Sequence, residues 1–246
     1  AAHAAVAFWA CYAVLILLLF LPLALLDADT VAWTPPASIF AAGWGPALSQ
    51  LFIWRSSLDP LRISVELALA VALWVNWRSL RLRPVAWLIV VCYLLTLAYT
   101  IYEAIVLSVY RAEPVFYSHY FLARDGLPFL LEHVGAAPWL VALAALGLLG
   151  GVALIGGLVR LLLASGAHLG RPSRWMAGAI AVFCLAAALT FQAQTARAEM
   201  VTSSLAWKLE QNIAASLALQ QTVANIDDAS PQPANNYRTR TLAHKP

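Results

Sequence analysis

The stretch VAWLIVVCYLLTLAYTIYEAIVLSV, residues 85–109, carries a single charged side chain, Glu103. A helix rises about 1.5 Å per residue and a hydrocarbon core is about 30 Å thick, so roughly 20 apolar residues suffice to cross it. This run meets that length. Working outward, four further stretches read the same way, at about 5–26, 61–77, 137–163 and 174–192. The composition agrees: 62% of residues are hydrophobic, 11% are charged and ten are Trp, whereas a soluble domain carries about 25% charged residues. The fold class is therefore all-α. It is a polytopic membrane protein with five transmembrane helices, interfacial helices in the outer loops and a long amphipathic C-terminal helix.

Basic residues near the span ends orient the chain. The loop after the second span carries Arg78, Arg81 and Arg83, and the loop after the fourth carries Arg160, Arg171 and Arg174, with no Asp or Glu in either. Both belong inside by the positive-inside rule. The remaining loops are longer and hold only Arg55, with Arg62 at the span edge, and Arg111 and Arg124. The expectation is a multi-pass protein of the cytoplasmic (inner) membrane, amino end inside and carboxyl end extracytoplasmic. The first segment has no basic n-region and exceeds a signal-peptide core in length, so it reads as a retained signal anchor. Cys11, Cys92 and Cys184 lie in separate spans and read as small packing residues.

Arg62 and Glu66 stand four apart at the start of the second span, a helical spacing that pairs them on one face at the membrane boundary. Glu103 lies near Tyr99 and Tyr102, well inside a span. There it must be protonated, hydrogen-bonded or paired with a base such as Arg111 or Arg62. The outer loops add aromatic residues interleaved with polar ones, including Phe116, Tyr117, Tyr120 and Phe121 around His119 and Arg124. That mixture suits the headgroup layer. Candidate lipid-headgroup contacts are thus Arg62, Glu66, Glu103, Arg111, His119 and Arg124; ordinary anchoring of loops and a neutralised positioning pair are the plainer account. Membrane lipids are the expected partners, with protein partners in an assembly or a homo-oligomer beside them, and no nucleic acid.

His3, His119, His133, His168 and His244 fall outside mid-membrane depth, which disfavours a haem or pigment carrier. No Gly-rich phosphate loop, HExxH, GxSxG or acidic metal cluster is present. No catalytic or metal-binding residue is assigned, and no cofactor is expected in this chain. Gly147, Gly150, Gly151, Gly156 and Gly157 make a small-residue face suited to close helix packing. Absence of an internal repeat argues against a transporter.

Three parts follow: a transmembrane domain at 1–192, an amphipathic extracytoplasmic helix at 193–226, and a linker at 227–246. Val201, Leu205, Leu209, Ile213 and Leu217 recur every four residues, so the helix is expected to run on from the fifth span to about Ile226. The Pro- and Asn-rich linker implies a domain beyond Pro246.

This topology, the segment Gln211-Asn212-Ile213-Ala214-Ala215-Ser216-Leu217-Ala218-Leu219-Gln220 and the exit Lys245-Pro246 resemble the membrane part of lipoteichoic-acid-synthase-like proteins of the sulfatase and alkaline-phosphatase superfamily. The resemblance is topological over the whole chain and specific over about 205–246. It implies an extracytoplasmic sulfatase-fold domain with a Thr or Ser nucleophile and a divalent metal, opened by a Lys-Pro-Asn-like step. None of that domain lies in these residues, so no site residue carries over. The function so implied is a membrane anchor that presents a lipid substrate to a sulfatase-like hydrolase or phospholipid-headgroup transferase. The alternative is a non-catalytic accessory subunit of a larger respiratory or photosynthetic membrane complex.

Overall fold

The computed structural model describes residues 2–26, 43, 62–111, 114–121, 124, 126, 138–191 and 202–229. In chain order its elements are α1 (Ala2–Leu26), β1 (Ile63–Ser64), α2 (Val65–Asn76), α3 (Arg83–Tyr110), α4 (Pro138–Ala167), α5 (Arg171–Phe191), β2 (Thr202–Ser203) and α6 (Leu205–Ala229). A single 3-10 turn, Arg78–Leu80, precedes α3. Among the described residues the chain is all-α apart from one two-residue parallel pairing of β1 with β2. It divides into two units, one of Ala1–Pro114 with Gly135–Lys208, the other of Val115–Val134 with Leu209–Pro246.

Four helices, His3–Leu26, Arg83–Tyr110, Trp139–Ala167 and Arg171–Leu189, are long and apolar enough to cross a membrane. The segment expected as the second span is different. Its helix has 12 residues, about 18 Å of rise against a hydrocarbon thickness of about 30 Å. Ser64 sets its start, accepting the Leu67 N–H at 3.2 Å, as a capping serine does for an otherwise orphaned donor.

In the first unit α1 packs on α3 and α4, while α2 packs on α5 and α4. Phe8, Leu15, Leu19, Trp74, Val75, Val159 and Leu162 are buried where these helices meet. Two of the aromatic residues tie helices together by their polar tips. Trp74 donates its indole N–H to the Leu163 carbonyl at 2.8 Å, and Tyr93 donates its hydroxyl to the Leu15 carbonyl at 2.7 Å. In an apolar surround such a bond satisfies a donor that would otherwise be costly to bury. Between α2 and α5 the contact is made of small residues, Ala68, Ala72, Ala181, Cys184 and Ala188, which let the two backbones approach. Cys184 is fully buried there, in the packing role read from sequence.

The glycine face of α4 is less simple. A Cβ at Gly166 would meet Val75 at 3.2 Å and Phe8 at 3.3 Å, whereas one at Gly147, Gly150, Gly151 or Gly157 would meet nothing within 4 Å. Close packing through Gly147 and Gly151 is therefore not made by the described residues of this chain. Residues 139–150 are exposed throughout.

The expectation of one helix running from the fifth span to about Ile226 is corrected. Residues 202–203 are extended and paired to β1, and α6 begins at Leu205. Ser204 supplies the reason, because its hydroxyl accepts the Trp207 N–H at 3.4 Å and its carbonyl accepts the Lys208 N–H at 3.2 Å, a capped helix start. The fourfold spacing persisted in sequence because α6 keeps the same period after the break.

The second unit contains α6 from Leu209 onward and a short helix at 116–121. Its contact is polar. Asn212 Oδ1 accepts the Phe116 N–H at 2.8 Å and Ser216 Oγ accepts the Tyr117 N–H at 3.2 Å. Two orphan donors at the start of the short helix are thereby capped from α6. Asn212 is buried, while Ile213 and Leu217 are exposed, so the apolar line read from sequence is not the buried line. The outer loop at 27–61, apart from Gly43, lies outside the described residues, as does the linker from 230 onward.

Candidate functional site

Two helix starts lie side by side in the first unit, because β1 leads into α2 and its partner β2 leads into α6. The N-terminal end of a helix carries partial positive charge and four unpaired N–H groups. One carboxylate serves both ends here. Glu66, in the first turn of α2, accepts from the Ser64 hydroxyl at 3.1 Å, from the Ser204 hydroxyl at 2.7 Å and from the Ala206 N–H at 3.1 Å. An acidic side chain stabilises a helix start it approaches, and Glu66 approaches two.

A second polar link lies beside it. Lys208, in the first turns of α6, places its ammonium 2.6 Å from both carboxylate oxygens of Glu103 on α3. The two side chains are 19% and 12% exposed, Lys208 being the former. The Tyr99 hydroxyl donates to the Lys208 carbonyl at 3.5 Å. Glu103 thus has the basic partner that its burial demands, but that partner is Lys208 rather than the Arg111 or Arg62 expected from sequence. Arg111 is the nearest base along the chain, and Lys208 arrives from 105 residues away.

The pairing read for Arg62 and Glu66 also changes. A spacing of four brings side chains together only within a helix, and Arg62 precedes β1, ahead of the helix start. Glu66 turns instead to the start of α6. Arg62 is buried, 5% exposed. Arg111 closes α3 in the left-handed region at φ 53° and gives its N–H to the Leu107 carbonyl. His119 and Arg124 belong to the second unit, where His119 Nδ1 accepts the Val115 N–H at 3.4 Å and Arg124 is exposed.

From Glu66 to the end of α2 is about 15 Å of helix. Ser64 and Thr202 are buried. Buried non-helical backbone needs its polar groups satisfied, and the β1–β2 pairing, the two serine caps and Glu66 do this for much of the junction, while the Thr202 hydroxyl is buried without a hydrogen-bond partner among the described residues. A small pocket beside it is lined by Glu66, Thr96, Thr100, Ser203 and Lys208 among others. The arrangement holds charge and backbone in place. Among the described residues no three or more of His, Cys, Asp and Glu gather as a metal site.

The far end of α2 is closed by Arg81. Its guanidinium donates to the carbonyls of Trp74 at 3.1 Å and Val75 at 2.7 Å, and to that of Ala167 at the end of α4 at 3.2 Å. A cation on the last carbonyls of a helix complements the negative end of its dipole. Burial against these helix ends, and then the neighbouring Arg174 and Arg78, draw the Arg81 pKa below the usual arginine value. Helix α2 is therefore capped by Ser64 at one end and Arg81 at the other.

Sequence reasoning missed Ser64, Ser204, Lys208 and the internal use of Arg81. A signal existed for the serines, since each stands just before an apolar run, as capping residues do. Nothing local marks Lys208 as the partner of Glu103.

No protein-family model, curated protein or solved structure matches the chain.

Proposed function

We propose that this chain is a membrane anchor that fixes the start of α6 rigidly to a bundle of membrane helices, so that what α6 carries is held at a set position on the membrane. The observation that carries this reading is the double attachment of the first turns of α6, by Glu66 at its capped start and by Glu103 through Lys208. A helix that only trailed from the membrane would need neither. In this reading all five apolar segments belong to the membrane, α2 as a short buried one, with the amino end inside and the carboxyl end extracytoplasmic. Arg81 supports the sidedness, because it joins the turn after α2 to the end of α4 and so gathers both arginine-rich turns at one end.

The resemblance to lipoteichoic-acid-synthase-like proteins supplies what would be anchored: a sulfatase-fold hydrolase or phospholipid-headgroup transferase acting outside the membrane on a lipid-linked substrate. An intact mass with peptide mapping past Lys245 tests that directly; peptides of sulfatase type support it, and a mass near 26.6 kDa removes it. If the enzyme is present, Lys208→Gln should lower turnover of a lipid-linked substrate more than that of a soluble ester. Equal effects would remove the presenting role.

One observation favours the accessory-subunit reading. The first half of α4 is exposed on all sides, its glycine face included, as a helix awaiting a partner in an assembly would be. Purification in mild detergent separates the two: a subunit migrates with partners in fixed ratio, and an anchor migrates alone or as a homo-oligomer.

A further inference from the structure

The end of the bundle where α2 gives way to α3, and α4 to α5, is built without a carboxylate. Residues 77–83 and 160–174 contain Arg78, Arg81, Arg83, Arg160, Arg171 and Arg174 and no Asp or Glu. Arg81 is committed to three helix-end carbonyls, and Arg160 lies over the Trp87 ring with its guanidinium carbon 3.9 Å from the centroid. Arg174 gives only its Nε–H, to the Leu169 carbonyl at 2.9 Å, which leaves both of its terminal amino groups as donors. Arg78 is exposed. Both stand near enough to Arg81 for their charges to be felt there.

The helix starts add to the same sign. Helix α3 opens Arg83-Pro84 and α5 opens Arg171-Pro172, and neither has an acidic residue in its first turn. Helix starts favour acids and disfavour bases, so two starts with arginine leave a positive field that nothing in these turns offsets. An anion would offset it, and guanidinium forks match phosphate oxygens in geometry.

The neighbours of these arginines decide which anion. Trp77 precedes Arg78 and is 59% exposed; Trp175 follows Arg174 and is 75% exposed. Exposed tryptophan beside arginine at the ends of apolar helices is the composition of the headgroup layer. A free phosphate would leave both indoles unused. A lipid supplies apolar chain to them and phosphate to the arginines.

We propose that Arg78, Arg81 and Arg174, with the starts of α3 and α5, form a binding site for the phosphate group of an anionic phospholipid, with Trp77 and Trp175 against its glycerol and upper acyl region. Arg81 forms the fixed floor, and Arg78 and Arg174 supply the free donors. The site does not depend on what the chain anchors.

The test is a lipid titration of the full chain in detergent, read by native mass spectrometry, with phosphatidylglycerol, phosphatidylcholine and inorganic phosphate as separate probes. Saturable binding of phosphatidylglycerol about tenfold tighter than phosphatidylcholine is expected. Arg78→Gln and Arg174→Gln should each weaken it about tenfold, Arg174→Lys should fall between, and Arg238→Gln, which removes the same charge from the C-terminal segment, should leave it unchanged. Equal weakening by Arg238→Gln would reduce the effect to net charge and overturn the site. Equal binding of the two lipids would overturn it also, and displacement of the lipid by equimolar inorganic phosphate would make the ligand a soluble anion.

Discussion

Lys208 and Glu103 face each other with the ammonium equidistant, at 2.6 Å, from both carboxylate oxygens. Glu103 sits seven residues before the end of α3, and the partner comes from the start of another helix. Removing one member of a largely desolvated pair leaves the other uncompensated. Lys208→Met should destabilise the bundle by about 2 kcal/mol, and Glu103→Gln in the same chain should recover a good part of it. Thermal unfolding of the two single variants and the double variant in one detergent gives the coupling. Additive losses would show that the pair is not an energetic unit.

Glu66 is predicted to hold the start of α6. Glu66→Ala removes acceptors from Ser204 and Ala206 and should cost about 1–2 kcal/mol, as the loss of a helix cap does. Amide exchange at Ala206 and Trp207 should quicken before that of mid-α3 amides. Unchanged exchange at Ala206 would mean that the Ser204 cap suffices alone.

Arg81 and lysine are not interchangeable at a three-carbonyl fork. Arg81→Lys keeps the charge but reaches fewer of Trp74, Val75 and Ala167. A loss of about 1.5–3 kcal/mol is expected for the forfeited charged hydrogen bonds. A melting temperature equal to that of the parent would show that charge alone caps the two helices.

Glycines on α4 should divide by position. Gly166→Ala drives a Cβ toward Val75 and Phe8 and should destabilise by about 1–3 kcal/mol through overpacking. Gly151→Ala meets nothing within 4 Å and should gain up to about 1 kcal/mol of helix propensity. Gly151→Leu then reports on assembly: a changed migration in mild detergent means that a partner covers this face, and unchanged migration means lipid does.

Asn212→Ala uncaps Phe116 in the second unit. A loss of about 1 kcal/mol, confined to that unit, is expected. Exchange at the Phe116 and Tyr117 amides reads it, and faster exchange in α3 as well would contradict the confinement.

Residues 85–109 were enough to fix the helical, membrane-like class, because crossing a hydrocarbon layer requires only length and apolarity, both of which are local and additive along a chain. The packing role read for Cys184 follows an equally local rule. Sequence also flagged Glu103 as needing a partner, since a carboxylate within an apolar run is costly unless it is paired, hydrogen-bonded or protonated. Which base answers it was not local: Lys208 is brought to Glu103 only when β2 pairs with β1 and Ser204 starts a new helix. The same event cut short the helix expected to run on from the fifth span and turned Glu66 away from a helical pairing with Arg62. Periodicity reports a face but not a break, because α6 resumes the same period after it. Tertiary structure decided these points because hydrogen bonds and ion pairs at membrane depth must be made with whichever chain is adjacent in space, however distant it is in sequence.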